Sequence, residues 1–177
     1  MYHYAGNNPV RYIDPDGDFI FSITLNATAG AGAEGSVGVG ISFGFSFEKG
    51  FSMGFFETHS IGAQEGAGAN VSVSIGFDPK TQSVESGKTE SLTIGGSGDM
   101  PIGAGIGGDV SIDLESGDTA YSVNLSIGVG TPGEAHELYT TVNTITVDDL
   151  ADKIYQNMTS QGIMAESGKK NLDSEEK

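Results

Sequence analysis

The sequence predicts a mainly β fold: an antiparallel meander of about seven or eight strands, arranged as a barrel or a sandwich and followed by one C-terminal helix. Three observations support this prediction. Apolar residues alternate with small polar residues over most of the region from 19 to 130, which is the period of strands with one apolar face. Short turn-forming segments separate these runs. The apolar period then becomes helical near residue 146.

The first alternating run extends from Phe19 to Phe47, which is too long for one ordinary strand. A break at 30–35, where small residues dominate, would divide it into two strands. Alternation resumes in three further stretches, residues 51–55, 67–77 and 92–129. Turn formers separate or close these stretches, namely Asp78-Pro79, Ser116-Gly117 and Pro132-Gly133. The sequence therefore predicts a β domain over residues 19–145.

A helix is predicted at 146–162. Thr146 is a suitable N-cap, and the carboxylates of Asp148 and Asp149 would interact favourably with the helix dipole. Apolar residues from 147 to 158 recur at helical spacing, and Gly162 is a natural end. Residues 163–177 are highly charged and poor in apolar side chains, so we expect a disordered tail there.

Composition narrows the functional classes. The 177 residues suit one domain, and the absence of cysteine excludes a disulfide scaffold or a thiolate metal site. With 24 acidic and 8 basic residues, the chain carries a formal charge of −16. Such a charge repels a phosphate backbone, so nucleic acid is not expected as a partner. We find no metal-ligand spacing and no cofactor motif, and we predict no cofactor.

The second face of the predicted strands is unusual because it consists mainly of Gly, Ser and Asn. Glycine inside a strand costs entropy and packs poorly, so its excess needs a reason. A soluble meander with a low-complexity outer face is one interpretation. Small residues lining a narrow barrel lumen are a second. Amphipathic hairpins that enter a bilayer are a third, although tryptophan is absent and the tyrosines do not mark strand ends.

Two pairs of residues are candidates for catalysis. Glu57 and His59 interrupt the apolar face after Phe55, and a carboxylate beside an imidazole suits acid–base chemistry. His136 and Glu137 follow the Pro132-Gly133 turn and would complete such a site if the fold brought them close to the first pair. Glu57 and His59 are also compatible with a loop between two strands, where polar residues need no role, and nothing in the spacing links them to His136 and Glu137. The enzymatic hypothesis and a non-enzymatic module therefore both stay open.

Residues 2–17 read YHYAGNNPVRYIDPDG, a pattern that predicts two turns joined by a short strand. This ordered combination resembles the end of the RHS-repeat-associated core, the junction at which RHS polymorphic-toxin proteins change from a shared shell to a variable C-terminal module. The resemblance covers about a tenth of the chain and implies that residues 1–18 are an N-terminal stub, the terminal part of the RHS core. The matching junction residues are Asn7, Asn8, Pro9, Asp14, Pro15 and Gly17.

The resemblance implies a C-terminal effector (toxin) module in competition between bacteria, secreted or displayed at the cell surface and delivered to a target cell within a larger protein. Its implied partners are the RHS shell of the parent polypeptide, a cognate immunity protein and a target-cell membrane. RHS shells commonly cut themselves after a leucine at this junction. Asp18 stands at that position, so the chain departs from the family pattern there. A non-toxic structural β module of an RHS surface protein is the remaining alternative.

Overall fold

The computed structural model describes residues 18–99, 102–131 and 133–160. It confirms a mainly β, antiparallel fold with a C-terminal helix. The elements are β1 (Phe19–Ser46), β2 (Gly50–Asp78), β3 (Gly87–Asp99), β4 (Ile102–Asp113), β5 (Thr119–Gly130), β6 (Glu134–Thr146) and α1 (Val147–Ser160).

The strands close into a barrel. Strands β2, β5, β4, β3 and β6 pair in that order, and β6 pairs back onto β2, while β1 pairs along β2. Register partners can be followed around this ring from Phe77 of β2 through Tyr121, Val110, Ile94 and Glu137. The path returns to β2 at Ala63, fourteen residues before its start. A stagger of this size means that the strands are strongly tilted to the barrel axis.

Strands β1 and β2 are long because each passes through a sharp bend. Their register shifts between Ala31 and Ala33. Beyond that bend β1 folds back on itself, since a Cβ atom at Gly40 would lie 2.6 Å from the carbonyl oxygen of Ile23. The rings of Phe19 and Phe45 also stack, with centroids 5.2 Å apart. The predicted break at 30–35 is therefore a bend within one strand, which explains why the structure has six strands where the sequence indicates seven or eight.

The antiparallel pairing defines two ends of the barrel. The front end carries the β1–β2 turn at 47–49, the β2–β3 connection at 79–86, the β4–β5 turn at 114–118 and the end of β6. The back end carries the bends of β1 and β2 and the starts of β4 and β6.

The two faces of the wall are reversed relative to a water-soluble β protein. Large apolar side chains point outward and are exposed, including Leu25, Val73, Leu125 and Ile127. Small polar side chains point inward. Among the described residues, the only buried hydrophobic side chains are Val84 and Leu138, whereas eight polar or charged residues are buried. The apolar alternation predicted from the sequence is therefore an outer face, and the Gly/Ser/Asn face lines the barrel interior.

Helix α1 forms a separate unit from the barrel domain and begins with two acidic residues, Asp148 and Asp149. Its bounds, Val147–Ser160, lie within the predicted 146–162. Among the described residues, no helix is long and apolar enough to cross a membrane. Gly162 and the predicted tail at 163–177 lie outside the described residues, as do residues 1–17 of the predicted N-terminal stub.

Two features of the β domain were not predicted. Residues 134–146, which the sequence pattern left unassigned, form β6 and close the ring. The strand order also departs from a simple meander, because β5 pairs with β2 and β6 pairs with both β3 and β2. Consecutive strands are neighbours only at β1–β2, β3–β4 and β4–β5 within the described part of the chain.

Candidate functional site: the barrel lumen

The barrel encloses a polar cavity of about 760 Å³. Inward-facing hydroxyl and amide groups of all six strands line it, which follows from the two-residue alternation of each strand. Representative lining residues are Thr24 and Asn26 of β1, Ser60 and Ser72 of β2, Thr93 of β3, Ser111 of β4, Asn124 of β5 and Thr140 of β6. The lumen is thus a hydrogen-bonding surface along its length.

Four hydroxyl groups form a chain across neighbouring strands on the lumen wall. Ser60 and Thr140 are 2.9 Å apart, and Thr93 lies 3.4 Å from Thr140 and 2.8 Å from Ser111. The chain connects β2, β6, β3 and β4 through side chains in addition to their backbone pairing. It satisfies hydroxyl groups that would otherwise be buried without a partner.

We expect Thr93→Val to lower the free energy of unfolding by about 1 kcal/mol, because it leaves two hydroxyl neighbours without their shared partner. Thr89→Val is the control, since Thr89 lies on the same strand but is exposed. Urea unfolding in detergent micelles measures both. Equal effects of the two substitutions would show that the hydroxyl chain adds nothing to stability.

An ionisable group of side chains lies toward the back end of the lumen. His136 Nε2 is 3.1 Å from the Asp109 carboxylate. The other oxygen of Asp109 accepts hydrogen bonds from Asn124 at 2.6 Å and from Ser122 at 3.2 Å. A Cβ atom at Gly95 would overlap the Asp109 carboxylate, so glycine at this position makes room for the acid. The local sequence therefore shapes the wall around Asp109.

Three further polar side chains complete this group, which we call the lumen cluster: Glu34, Gln64, Asp109, Glu134 and His136. Glu34 Oε2 lies 3.8 Å from His136 Nδ1, and the Glu34 side chain is only 3% exposed. Gln64 donates a hydrogen bond of 2.7 Å to Glu134. Glu34 Oε2, Gln64 Oε1 and His136 Nδ1 are buried and have no hydrogen-bond partner among residues 18–99, 102–131 and 133–160.

The front mouth of the lumen is crossed by the connection 79–86. Val84 of this connection is buried, and its backbone N–H donates a 2.9 Å hydrogen bond to Ser52 Oγ. Nearby, Lys49 forms a 3.2 Å ion pair with Glu85, and the hydrogen bond from Lys49 lowers the pKa of the Glu85 carboxyl group. Both of these side chains are well exposed, so we expect the pair to contribute little stability. The connection narrows the mouth around one apolar side chain.

The four residues predicted for catalysis do not meet at one site. Glu57 and His59 lie on the outer face of β2, 3.9 Å apart and more than half exposed. Glu137 is exposed on β6, whereas its neighbour His136 points into the lumen, with 9% of its side chain exposed. The register pairs His59 with Thr141, five residues from His136. The structure brings His136 together with Asp109 and Glu34, which the sequence did not single out.

The sequence contains only a weak indication that Asp109 and Glu34 belong to a site. Asp109 occupies an inward position of β4, where the alternation would otherwise place Gly or Ser, and Glu34 lies in the Gly/Ala-rich bend of β1. Charged residues at positions of the small polar face were the available indication. Within the described part of the chain, no three His, Cys, Asp or Glu side chains are arranged to hold a metal ion.

The junction motif (Asn7, Asn8, Pro9, Asp14, Pro15 and Gly17) lies outside the described residues. Asp18, which stands where the RHS pattern has leucine, is described and is 4% exposed. No protein-family model, curated protein or solved structure matches the chain.

Proposed function

We propose that this chain inserts into a lipid bilayer as a folded β-barrel, with its apolar face toward lipid and its polar lumen inside, and that it acts as the C-terminal effector module of an RHS-type polymorphic toxin. The outward orientation of the apolar side chains carries the membrane part of the proposal. The junction-like residues 2–17 support the effector part.

Among the described residues of the barrel domain, no other protein surface covers the exposed apolar side chains. On β5, the five outward positions from Tyr121 to Val129 are apolar or aromatic, and Ile127 is 73% exposed. Transferring a large aliphatic side chain from water to an apolar environment is favourable by about 1.5–3 kcal/mol. Exposure of many such side chains on the wall of a barrel is unfavourable in water and favourable in lipid, where a closed barrel also satisfies its backbone hydrogen bonds.

The dimensions are compatible with a bilayer. Strands β3 to β6 contain 12 or 13 residues each, and a tilted strand needs about 9–11 residues to cross the hydrocarbon core. The large stagger of the ring supports the tilt. Ring closure leaves no hydrogen-bonding edge on the four strands β3 to β6.

Aromatic side chains gather at the front end. Phe19 contacts Phe45 and Phe77, and Phe51 contacts Phe43 and Phe45. Aromatic side chains at one level are typical of a membrane interface. The sequence pattern did not indicate this cluster, because its phenylalanines on β1 and β2 are distant in the chain and become neighbours only after β1 bends.

Some outward polar and charged residues on β2, β3 and β6 contact one another. Lys88 and Glu90 are 2.5 Å apart, and Asn143 donates a 3.2 Å hydrogen bond to Glu57. The register joins Glu57, Asn143 and Lys88 across three strands, close to the start of β3 and the end of β6. Polar groups near a barrel end can contact lipid headgroups, and the cost of charge on a lipid face falls toward the interface.

The test is to mix the refolded chain with dye-loaded liposomes and to measure both flotation with lipid and dye release. We expect the chain to float with the liposomes and to release dye. The variants His59→Ala and His136→Ala should retain both properties, because insertion depends on the outer face and not on imidazole chemistry. Matched liposomes without protein are the control for spontaneous leakage.

A chain that stays in the aqueous fraction while folded would contradict insertion. If toxicity in cells were abolished by either histidine substitution with the fold intact, the enzymatic hypothesis would be favoured instead. Absence of toxicity in both cytoplasm and periplasm would favour a structural module of an RHS surface protein.

A further inference from the structure

The charge of the lumen is strongly negative. Eight carboxylates and two lysines, together with His136, line the cavity among the described residues. Both lysines lie near the front mouth and are paired, Lys49 with Glu85 at 3.2 Å and Lys80 with Asp118 at 3.9 Å. A narrow cleft lined by one sign of charge concentrates ions of the opposite sign. The cavity should therefore attract cations.

The carboxylates are concentrated at two levels. Near the front mouth, Asp78, Asp113, Glu115 and Asp118 line the cavity. Toward the back end, the cavity is lined by Glu34, Asp109 and Glu134 of the lumen cluster. Among the described members of this cluster, His136 is the only basic side chain. Between these levels the wall is formed mainly by hydroxyl and amide groups. A ligand with cationic groups at both ends would match this distribution.

Two acceptors of the lumen cluster lack a hydrogen-bond donor. Within the described part of the chain, Glu34 Oε2 and Gln64 Oε1 are buried without a partner. Glu34 is almost fully enclosed, and the nearest basic atom is His136 Nδ1 at 3.8 Å. An unpaired buried acceptor costs free energy until a donor reaches it. A primary ammonium group would bring three hydrogen-bond donors for the unpaired acceptors and a positive charge to balance the carboxylates.

We propose that the lumen binds a linear aliphatic polyamine, with one ammonium group at the lumen cluster beside Glu34 and another at the front carboxylates. A metal ion is a poorer match, because the described acidic and histidine side chains form no three-ligand arrangement. The volume of about 760 Å³ lies within the usual range for small-molecule sites. Inward hydroxyl groups would accept hydrogen bonds from a central secondary amine.

The experiment is a calorimetric titration of spermidine into the full chain folded in non-ionic detergent micelles, with 1,8-octanediol as a neutral probe of similar length. We expect spermidine to bind and the diol not to bind. Glu34→Gln and Glu134→Gln should each weaken spermidine binding by about tenfold or more, because each removes a charged acceptor while preserving side-chain shape. Circular dichroism verifies that each variant is folded.

Glu137→Gln is the matched control, since it removes the same charge from an exposed position next to His136. We expect it to bind spermidine as the wild type does. Equal weakening by Glu137→Gln, binding of the diol, or no spermidine binding by the folded chain would each overturn the proposal. Because the titration uses micelles, its result is independent of liposome insertion, and the two proposals can fail separately.

Discussion

Replacing Leu25 with arginine is expected to abolish insertion of this chain into liposomes, whereas replacing the adjacent Thr24 with arginine should leave insertion intact. Leu25 points outward and is half exposed, while Thr24 lines the lumen. An arginine on the lipid face near mid-membrane costs about 2–4 kcal/mol. An arginine at position 24 would instead enter a cavity rich in carboxylates. Flotation of each variant with liposomes measures the difference.

The two substitutions add the same side chain one residue apart on the same strand, so each is the other's control. A barrel that remains in water predicts a different result. In that case neither variant would float with liposomes, and Leu25→Arg would change stability by less than about 0.5 kcal/mol, as surface substitutions usually do. Equal flotation of the two variants would refute the assignment of the outer face to lipid.

The sequence was a good guide to the strands because their alternation is a local property. The outward row on β5 from Tyr121 to Val129 is visible as every second residue and is retained in the structure. The local sequence does not determine which of the two alternating faces points inward. It depends on ring closure through β6, whose pattern is inverted, since Leu138 points inward and Glu137 outward. That inversion is also why β6 was not recognised.

The lumen cluster was harder to predict, because its side chains come together only through tertiary contacts. His136 was singled out as a titratable residue, but its partners lie on β4 and in the bend of β1, far away in the chain. Their contact depends on how β1 folds back and on the register of β3 with β6, and neither is encoded in spacing along the sequence. Glu57 and His59 were correctly recognised as interruptions of the apolar face. The hydrogen bond that Glu57 accepts from Asn143 again depends on the tertiary pairing of β2 with β6.

Replacing Gly62 with valine is expected to destabilise the barrel strongly. Gly62 of β2 faces β6, and a Cβ atom at this position would overlap the carbonyl oxygen of Glu137 and approach the Cα atom of Leu138 at 2.8 Å. We expect Gly62→Val to lower the free energy of unfolding by about 3 kcal/mol, the upper part of the usual range for overpacking, because backbone atoms cannot move aside as a side chain can. Urea unfolding in micelles, with gel mobility of unheated samples as a measure of closure, tests this.

Gly35→Val is the control, because Gly35 is paired with Ile61, next to Gly62, and the nearest atom to its added Cβ would be 4.0 Å away. Valine favours strands and restricts the unfolded chain more than glycine does, so we expect this variant to be neutral or slightly stabilised. If Gly62→Val behaved like Gly35→Val, β2 and β6 would not be in close contact and the ring would be open there. The excess of glycine therefore has a specific cause at Gly62: the small residue permits the closing pair of strands to approach, and closure gives the lumen its boundary.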